Sequence, residues 1–137
     1  MKSARSKRVL VGANPLAGEI LGSALAFEFD LTHCDNLDRA KQLLMKPVDL
    51  ILCTVLFDGS RMFDLLRYVK ENPATKSIPF VGIRVFQGTL PFHEVAASRA
   101  AVKLLGGNEF LDMYTWMSEL GEEQAFEKLR ATIHQLL

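Results

Sequence analysis

The chain is predicted to be an α/β protein, a three-layer fold in which a doubly wound, five-stranded parallel sheet of order 2-1-3-4-5 carries five helices. Three observations lead there. Short apolar runs alternate with segments whose apolar residues recur at helical spacing, five of each. Such alternation implies right-handed crossovers and a parallel sheet covered on both faces. The run Val48-Asp49-Leu50-Ile51-Leu52-Cys53-Thr54 is too continuous to leave a wet face, as expected of a central parallel strand. Five such units fit one domain of 137 residues, long enough to close a real core.

Each element has its own justification. Arg8-Val9-Leu10-Val11-Gly12 is the first strand. Asn14-Pro15 then opens a helix, because asparagine caps well and proline at the first helical position gives up a donor that would be unpaired there. Leu16, Ile20, Leu21, Ala24 and Leu25 follow at helical spacing, placing one face on the sheet. Leu31 to Cys34 makes a weaker second strand, and Leu37, Ala40, Leu43 and Leu44 mark a second helix that Pro47 ends. After the strand Val48 to Thr54, Ser60 is placed to cap a third helix that turns Met62, Phe63, Leu66 and Val69 inward. Ile78 to Ile83 forms a fourth strand, with Pro79 tolerable where it begins. An Ala-rich helix runs from about His93 to Leu105 and stops at Gly106-Gly107. Glu109 to Asp112 is a short fifth strand, and Ala125, Phe126, Leu129, Ile133 and Leu136 line the last helix.

Composition excludes several classes of function. Lys plus Arg and Asp plus Glu each total 16, so no net field draws the chain to nucleic acid or to an anionic membrane. The basic cluster Lys2, Arg5, Lys7 and Arg8 reads as a solvated stretch, with residues 1–6 a flexible tail. No stretch approaches the roughly 18 apolar residues of a membrane span. Val9-Leu10-Val11 is too short for a signal-peptide core, so the cytoplasm is the expected location. Cys34 and Cys53 lack CxxC spacing and clustered histidines, and they read as small buried hydrophobes. No metal site or other cofactor is expected. No GxSxG, HExxH or P-loop pattern occurs, and the loop Gly12 to Gly18 lacks the hydroxyls that would surround a flavin phosphate.

In a doubly wound sheet of this order the functional crevice lies at the carboxyl ends of the first, third and fourth strands. The residues that decide function are then Gly12 to Asn14, Thr54 to Gly59, and Arg84 to Gln87. Four stretches carry a resemblance. They are Val11-Gly12-Ala13-Asn14-Pro15, Asp49 to Leu66 with its Phe63-Asp64-Leu65-Leu66 ending, Ile78-Pro79-Phe80-Val81-Gly82-Ile83-Arg84, and Gly106-Gly107-Asn108-Glu109-Phe110-Leu111-Asp112-Met113. Together they resemble the response-regulator receiver domains of bacterial two-component signal transduction and its phosphorelays, whose fold is flavodoxin-like. The first is similar to the family's V-D-D-N-P, with Gly12 and Ala13 in place of the acidic pair that holds magnesium. Magnesium needs hard oxygen ligands, which neither residue supplies. The second places Thr54 on the phosphate-accepting aspartate; a threonine ester is not the labile acyl phosphate that receivers make. The third is similar to I-P-V-I-M-L-T and puts Arg84 on the hydroxyl residue that detects the phosphoryl group. The fourth is similar to G-A-D-D-Y-L-T-K and puts Met113 on the lysine. The resemblance thus implies a pseudo-receiver, not an enzyme, with a vestigial phosphorylation site at Gly12, Ala13, Thr54, Arg84 and Met113.

Other residues carry two readings each. Arg84 either fills the vacated pocket, bonding Thr54 or loop carbonyls, or points to water from its strand end. Asp58 is either a displaced acceptor or half of an ordinary Asp58-Gly59 turn, and the turn is favoured. His33, His93 and His134 have no partner visible in the sequence and read as surface or packing residues. Met113, Tyr114, Trp116 and Met117 fall in an expected exposed loop, where aromatic and Met side chains are candidate partner anchors. Trp116 could instead fold back over the Ala-rich helix. Val55-Leu56-Phe57 with Arg61-Met62 is a second candidate surface. The expected function is binding to a protein partner, a second copy of the chain included. The alternative is a small-ligand or nucleotide sensor that uses Asn14, Thr54 and Arg84 in the old crevice.

Overall fold

The computed structural model describes residues 6–86 and 94–137. Strands β1 (Arg8–Gly12), β2 (Asp30–Cys34), β3 (Leu50–Thr54), β4 (Phe80–Arg84) and β5 (Glu109–Asp112) form one parallel sheet in the order 2-1-3-4-5. This is the order expected from the sequence.

The described residues form seven helices, α1 (Pro15–Leu25), α2 (Leu37–Leu43), α3 (Phe57–Ser60), α4 (Met62–Glu71), α5 (Val95–Leu104), α6 (Met113–Leu120) and α7 (Glu122–Leu136), where five were expected. The two additions have different origins. One, α3, is a single turn distorted by backbone in the left-handed region. The other, α6, occupies the segment expected to be a loop. Asp112 caps it by accepting from Thr115 N at 3.3 Å, and Gly121, at φ 88° and ψ 163°, separates it from α7. The expected start of α5 at His93 lies outside the described residues, as do Gln87 and residues 1–5 of the tail.

Strand alternation sends side chains to two cores. Val9, Val11, Leu50, Leu52, Val81, Ile83 and Leu111 pack with α1 and α7 on one face. Leu10, Ile51, Cys53, Phe80 and Phe110 pack with α2, α4 and α5 on the other. All five residues of β3 are buried, as its unbroken apolar run requires, and β2 is the half-exposed edge. Asn14 caps α1 as predicted, accepting from Ala17 N at 2.9 Å with Pro15 following. Two local expectations fail. Leu16, in the first turn of α1, faces solvent at 61 % exposure, because the buried face of the helix runs through Ala17, Leu21, Ala24 and Leu25. Ser60 does not cap α4; its φ is 71°, and Arg61 stands at the helix start without a side-chain cap. Among the described residues no helix is long and apolar enough to cross a membrane.

Candidate functional site

The carboxyl ends of β1 and β3 meet over a buried aromatic ring. Gly12 lies in register with Cys53 on β3 and with Cys34 on β2. A Cβ on Gly12 would stand 3.0 Å from Phe57 Cδ1 and 3.2 Å from Cys53 Sγ. Phe57 therefore occupies the space that a side chain at position 12 would enter, and it is itself 0 % exposed. Ala13 is buried in the opposite core, and its carbonyl lies 2.8 Å from His33 Nε2. Thr54 is buried and donates from Oγ1 to the Gly12 carbonyl at 3.3 Å. This region is packed and its hydroxyl is employed.

Such a donor set does not suit magnesium. Gly12 and Ala13 offer only backbone oxygens, Thr54 offers a hydroxyl already bonded, and the described residues contain no group of three or more His, Cys, Asp or Glu side chains able to hold a metal ion. Cys34 and Cys53 add no reactive thiolate. Burial pushes the Cys53 thiol well above its usual range, and burial with help from Asp35, opposed by Arg39, pushes Cys34 up to about 11. Both stay protonated and inert near neutral pH.

The loop that delivers Phe57 is unusual. Asp58, Gly59 and Ser60 all have positive φ, at 47°, 63° and 71°. L-residues pay for that region with contact between Cβ and the following carbonyl, so something must hold it. Asp58 Oδ2 accepts from Leu37 N at 2.8 Å, supplying a partner to the first turn of α2, and lies 4.0 Å from Arg61 Nη1. The favoured turn reading of Asp58 matches this geometry, and the turn also ties β3 to α2. Asp58→Ala is expected to lose about 1 kcal/mol with the hydrogen bond and about 1 kcal/mol more from left-handed strain without asparagine-like compensation. Asp58→Gly should lose only the first part. Chemical denaturation of the two variants checks this; equal losses would remove the strain argument. The second candidate surface shrinks accordingly. Phe57 and Met62 are buried, leaving Leu56 at 37 % exposure and Arg61 as its outward residues.

Arg84 follows neither sequence reading. It is 3 % exposed, so it does not point to water, and its bond runs neither to Thr54 nor to a loop carbonyl but to Asp112. Nη1 stands 3.1 Å from Asp112 Oδ2 and 3.2 Å from Oδ1, across the register pair that ends β4 and β5. Thr115 donates to the same carboxylate from Oγ1 at 2.7 Å and from its amide at 3.3 Å. The guanidinium carbon lies 5.0 Å from the centroid of the Tyr114 ring, a cation–π contact. Arg84 Nε is buried with no hydrogen-bond partner among the described residues. Thr54, meanwhile, sits opposite Ile83 and not Arg84, and Asn14 is used as a cap. The three polar contacts of the sensor alternative are each engaged elsewhere.

The expected partner surface also changes. Met113 is 0 % exposed and belongs to the core beside α1 and α7, so it presents nothing to a partner. Tyr114, Trp116 and Met117 are half-buried. Trp116 and Met117 pack on the core that holds Ala13 and Leu129, and Lys128 Nζ lies 5.1 Å from the indole ring. Trp116 thus folds back, but onto the α1 and α7 side and not over Ala-rich α5. His134 gains partners as well: its Nε2 lies 2.7 Å from Glu28 Oε1 and its ring meets Phe29.

Superposition on solved structures identifies the architecture. The chain matches a response regulator from Hahella chejuensis with a TM-score of 0.72 at 20 % identity, over 96 % of each chain. The fold is that of the response-regulator receiver domains. The chemotaxis response regulator CheY4 of Vibrio cholerae superposes with a TM-score of 0.70 at 14 % identity, covering 98 % of this chain and 100 % of that one. The phosphorylated cyanobacterial phytochrome response regulator RcpA gives 0.70 at 16 % identity, covering 93 % and 91 %. At such identities the shared property is the receiver fold. No family model and no curated protein matches the sequence.

Sequence reasoning missed Asp112, Thr115 and the plugging role of Phe57. For Asp112 a signal existed, since an aspartate immediately before a helical run is a preferred N-cap residue; Thr115 carried none. Phe57 carried none, since a lone aromatic in a loop does not say where its ring points.

Proposed function

We propose that this receiver-fold chain acts in two-component signalling as a pseudo-receiver, a protein that binds partners and does not accept a phosphoryl group. The carrying observation is the packing at the ends of β1 and β3. Gly12 and Ala13 supply no carboxylate, Thr54 donates to the Gly12 carbonyl, and the Phe57 ring fills the space in front of Gly12. An acyl phosphate needs a carboxylate nucleophile, and a transferring phosphoryl group needs a cation to offset its charge. Arg84 cannot serve freely in that role while Asp112 neutralises it. The chain is accordingly not an enzyme, and its output passes through a surface. The half-buried Tyr114, Trp116 and Met117 on α6 are the residues best placed to anchor a protein partner or a second copy.

Incubation with acetyl phosphate and magnesium, followed by intact mass, is expected to give unmodified protein. An adduct of one phosphoryl group that hydroxylamine removes would overturn the reading, since that lability marks an acyl phosphate. A thermal-shift series with nucleotides and inorganic phosphate should leave the midpoint in place; a concentration-dependent rise would favour the sensor alternative.

A further inference from the structure

We infer that the buried Arg84–Asp112 pair is a latch that holds α6 against the sheet and so decides how far Tyr114, Trp116 and Met117 are free to meet a partner. Asp112 ends β5 and caps α6 in one residue. Its carboxylate receives Arg84 from the neighbouring strand and Thr115 from the first turn of the helix. One side chain thereby joins two strand ends to a helix start. Tyr114 adds its ring to the same guanidinium.

At its other end α6 is joined to α7 through Gly121, in a backbone region open essentially to glycine alone. Beyond that break, α7 has separate anchors. Arg130 Nη1 donates to the Ala24 carbonyl at 2.9 Å, and Glu28 meets both Arg130 Nε at 3.5 Å and His134 Nε2 at 2.7 Å. Helix α6 spans eight residues, of which only Met113 is fully buried. A helix that short does not persist by its own hydrogen bonds, and an exposed cap alone is a modest restraint. Trp116 and Met117 rest this helix on the core beside α7, while the ion-pair network fixes its first turn, and the glycine break lets that turn shift while the separate anchors hold α7. Release uncovers the apolar side of α6, which now rests on the core beside Ala13 and Leu129.

The use of this latch in signalling rests on α6 being the partner face. The latch itself is tested with no partner present, so the two ideas fail separately. Hydrogen exchange read by mass spectrometry on the whole chain compares wild type with Arg84→Met and Thr115→Val. In Arg84→Met the amides of residues 113–120 are expected to exchange at least about tenfold faster, read at labelling times too short for global unfolding to label α7, α1 and the first three strands. Emission from Trp116, the one tryptophan in the chain, should move to longer wavelength. Thr115→Val keeps the ion pair and removes one donor to Asp112, so a smaller rise in the same segment is expected. Should Arg84→Met not fold, Thr115→Val decides. A rise spread equally over all segments, or unchanged α6 rates, would overturn the latch.

Discussion

Arg84→Met and Asp112→Leu are each expected to lower the unfolding free energy by about 3–5 kcal/mol, while the double variant recovers most of that loss. The partners are 3 % and 8 % exposed. Removing either one strands the other's charge in a region with little water to solvate it, and that penalty dominates the single variants. Removing both leaves two apolar side chains packed where a desolvated ion pair stood, which is often neutral or stabilising. Recovery should fall short by about 1 kcal/mol, because the Leu substitution also deletes the cap that Asp112 gives α6. Denaturant midpoints at constant slope measure the cycle. If the double variant loses the sum of the single losses, the pair is not coupled and its central place at the ends of β4 and β5 is mistaken.

Phe57→Ala is expected to cost about 3–5 kcal/mol, the usual loss for a fully buried ring. Its more telling effect is on what Gly12 tolerates. In the native background Gly12→Ala sets a methyl 3.0 Å from Phe57 Cδ1 and 3.2 Å from Cys53 Sγ, an overpacking of about 1–3 kcal/mol. Once the ring is gone, the same methyl enters a cavity and regains contact. The two substitutions should therefore couple favourably by about 1 kcal/mol or more. Additive losses would mean that Phe57 does not occupy the space before Gly12, and the packed crevice would lose its main support. A positive result also carries a consequence for engineering. Placing carboxylates at positions 12, 13 and 54 is not expected to make a magnesium site while Phe57 remains.

The strand order was legible because each strand states its burial in its own residues. Val48 to Thr54 reads as central and Leu31 to Cys34 as a weaker strand from apolar content alone, and β3 is wholly buried while β2 is half-exposed. The segment 113–120 was misread for an equally local reason: aromatic and Met residues without an obvious apolar period resemble a loop, and the capping role of Asp112 went unnoticed. Arg84 was misread for a nonlocal one. An arginine at a strand end is normally solvated, and only a carboxylate 28 residues away makes burial tolerable.

By itself, the sequence determined the chemistry that the crevice lacks. Side-chain identity at Gly12, Ala13 and Thr54 settles that no carboxylate stands there, whatever the fold does around them. It determined the sheet as well, because apolar periodicity reports burial residue by residue. Only the tertiary structure decided the pairings: Arg84 with Asp112, Asp58 with the Leu37 amide, and His33 with the Ala13 carbonyl, separated by 28, 21 and 20 residues. Each joins elements that become neighbours when the chain crosses over the sheet. A polar side chain in a low-dielectric site takes whichever partner the neighbouring element brings, and that choice is written in no single segment of the chain.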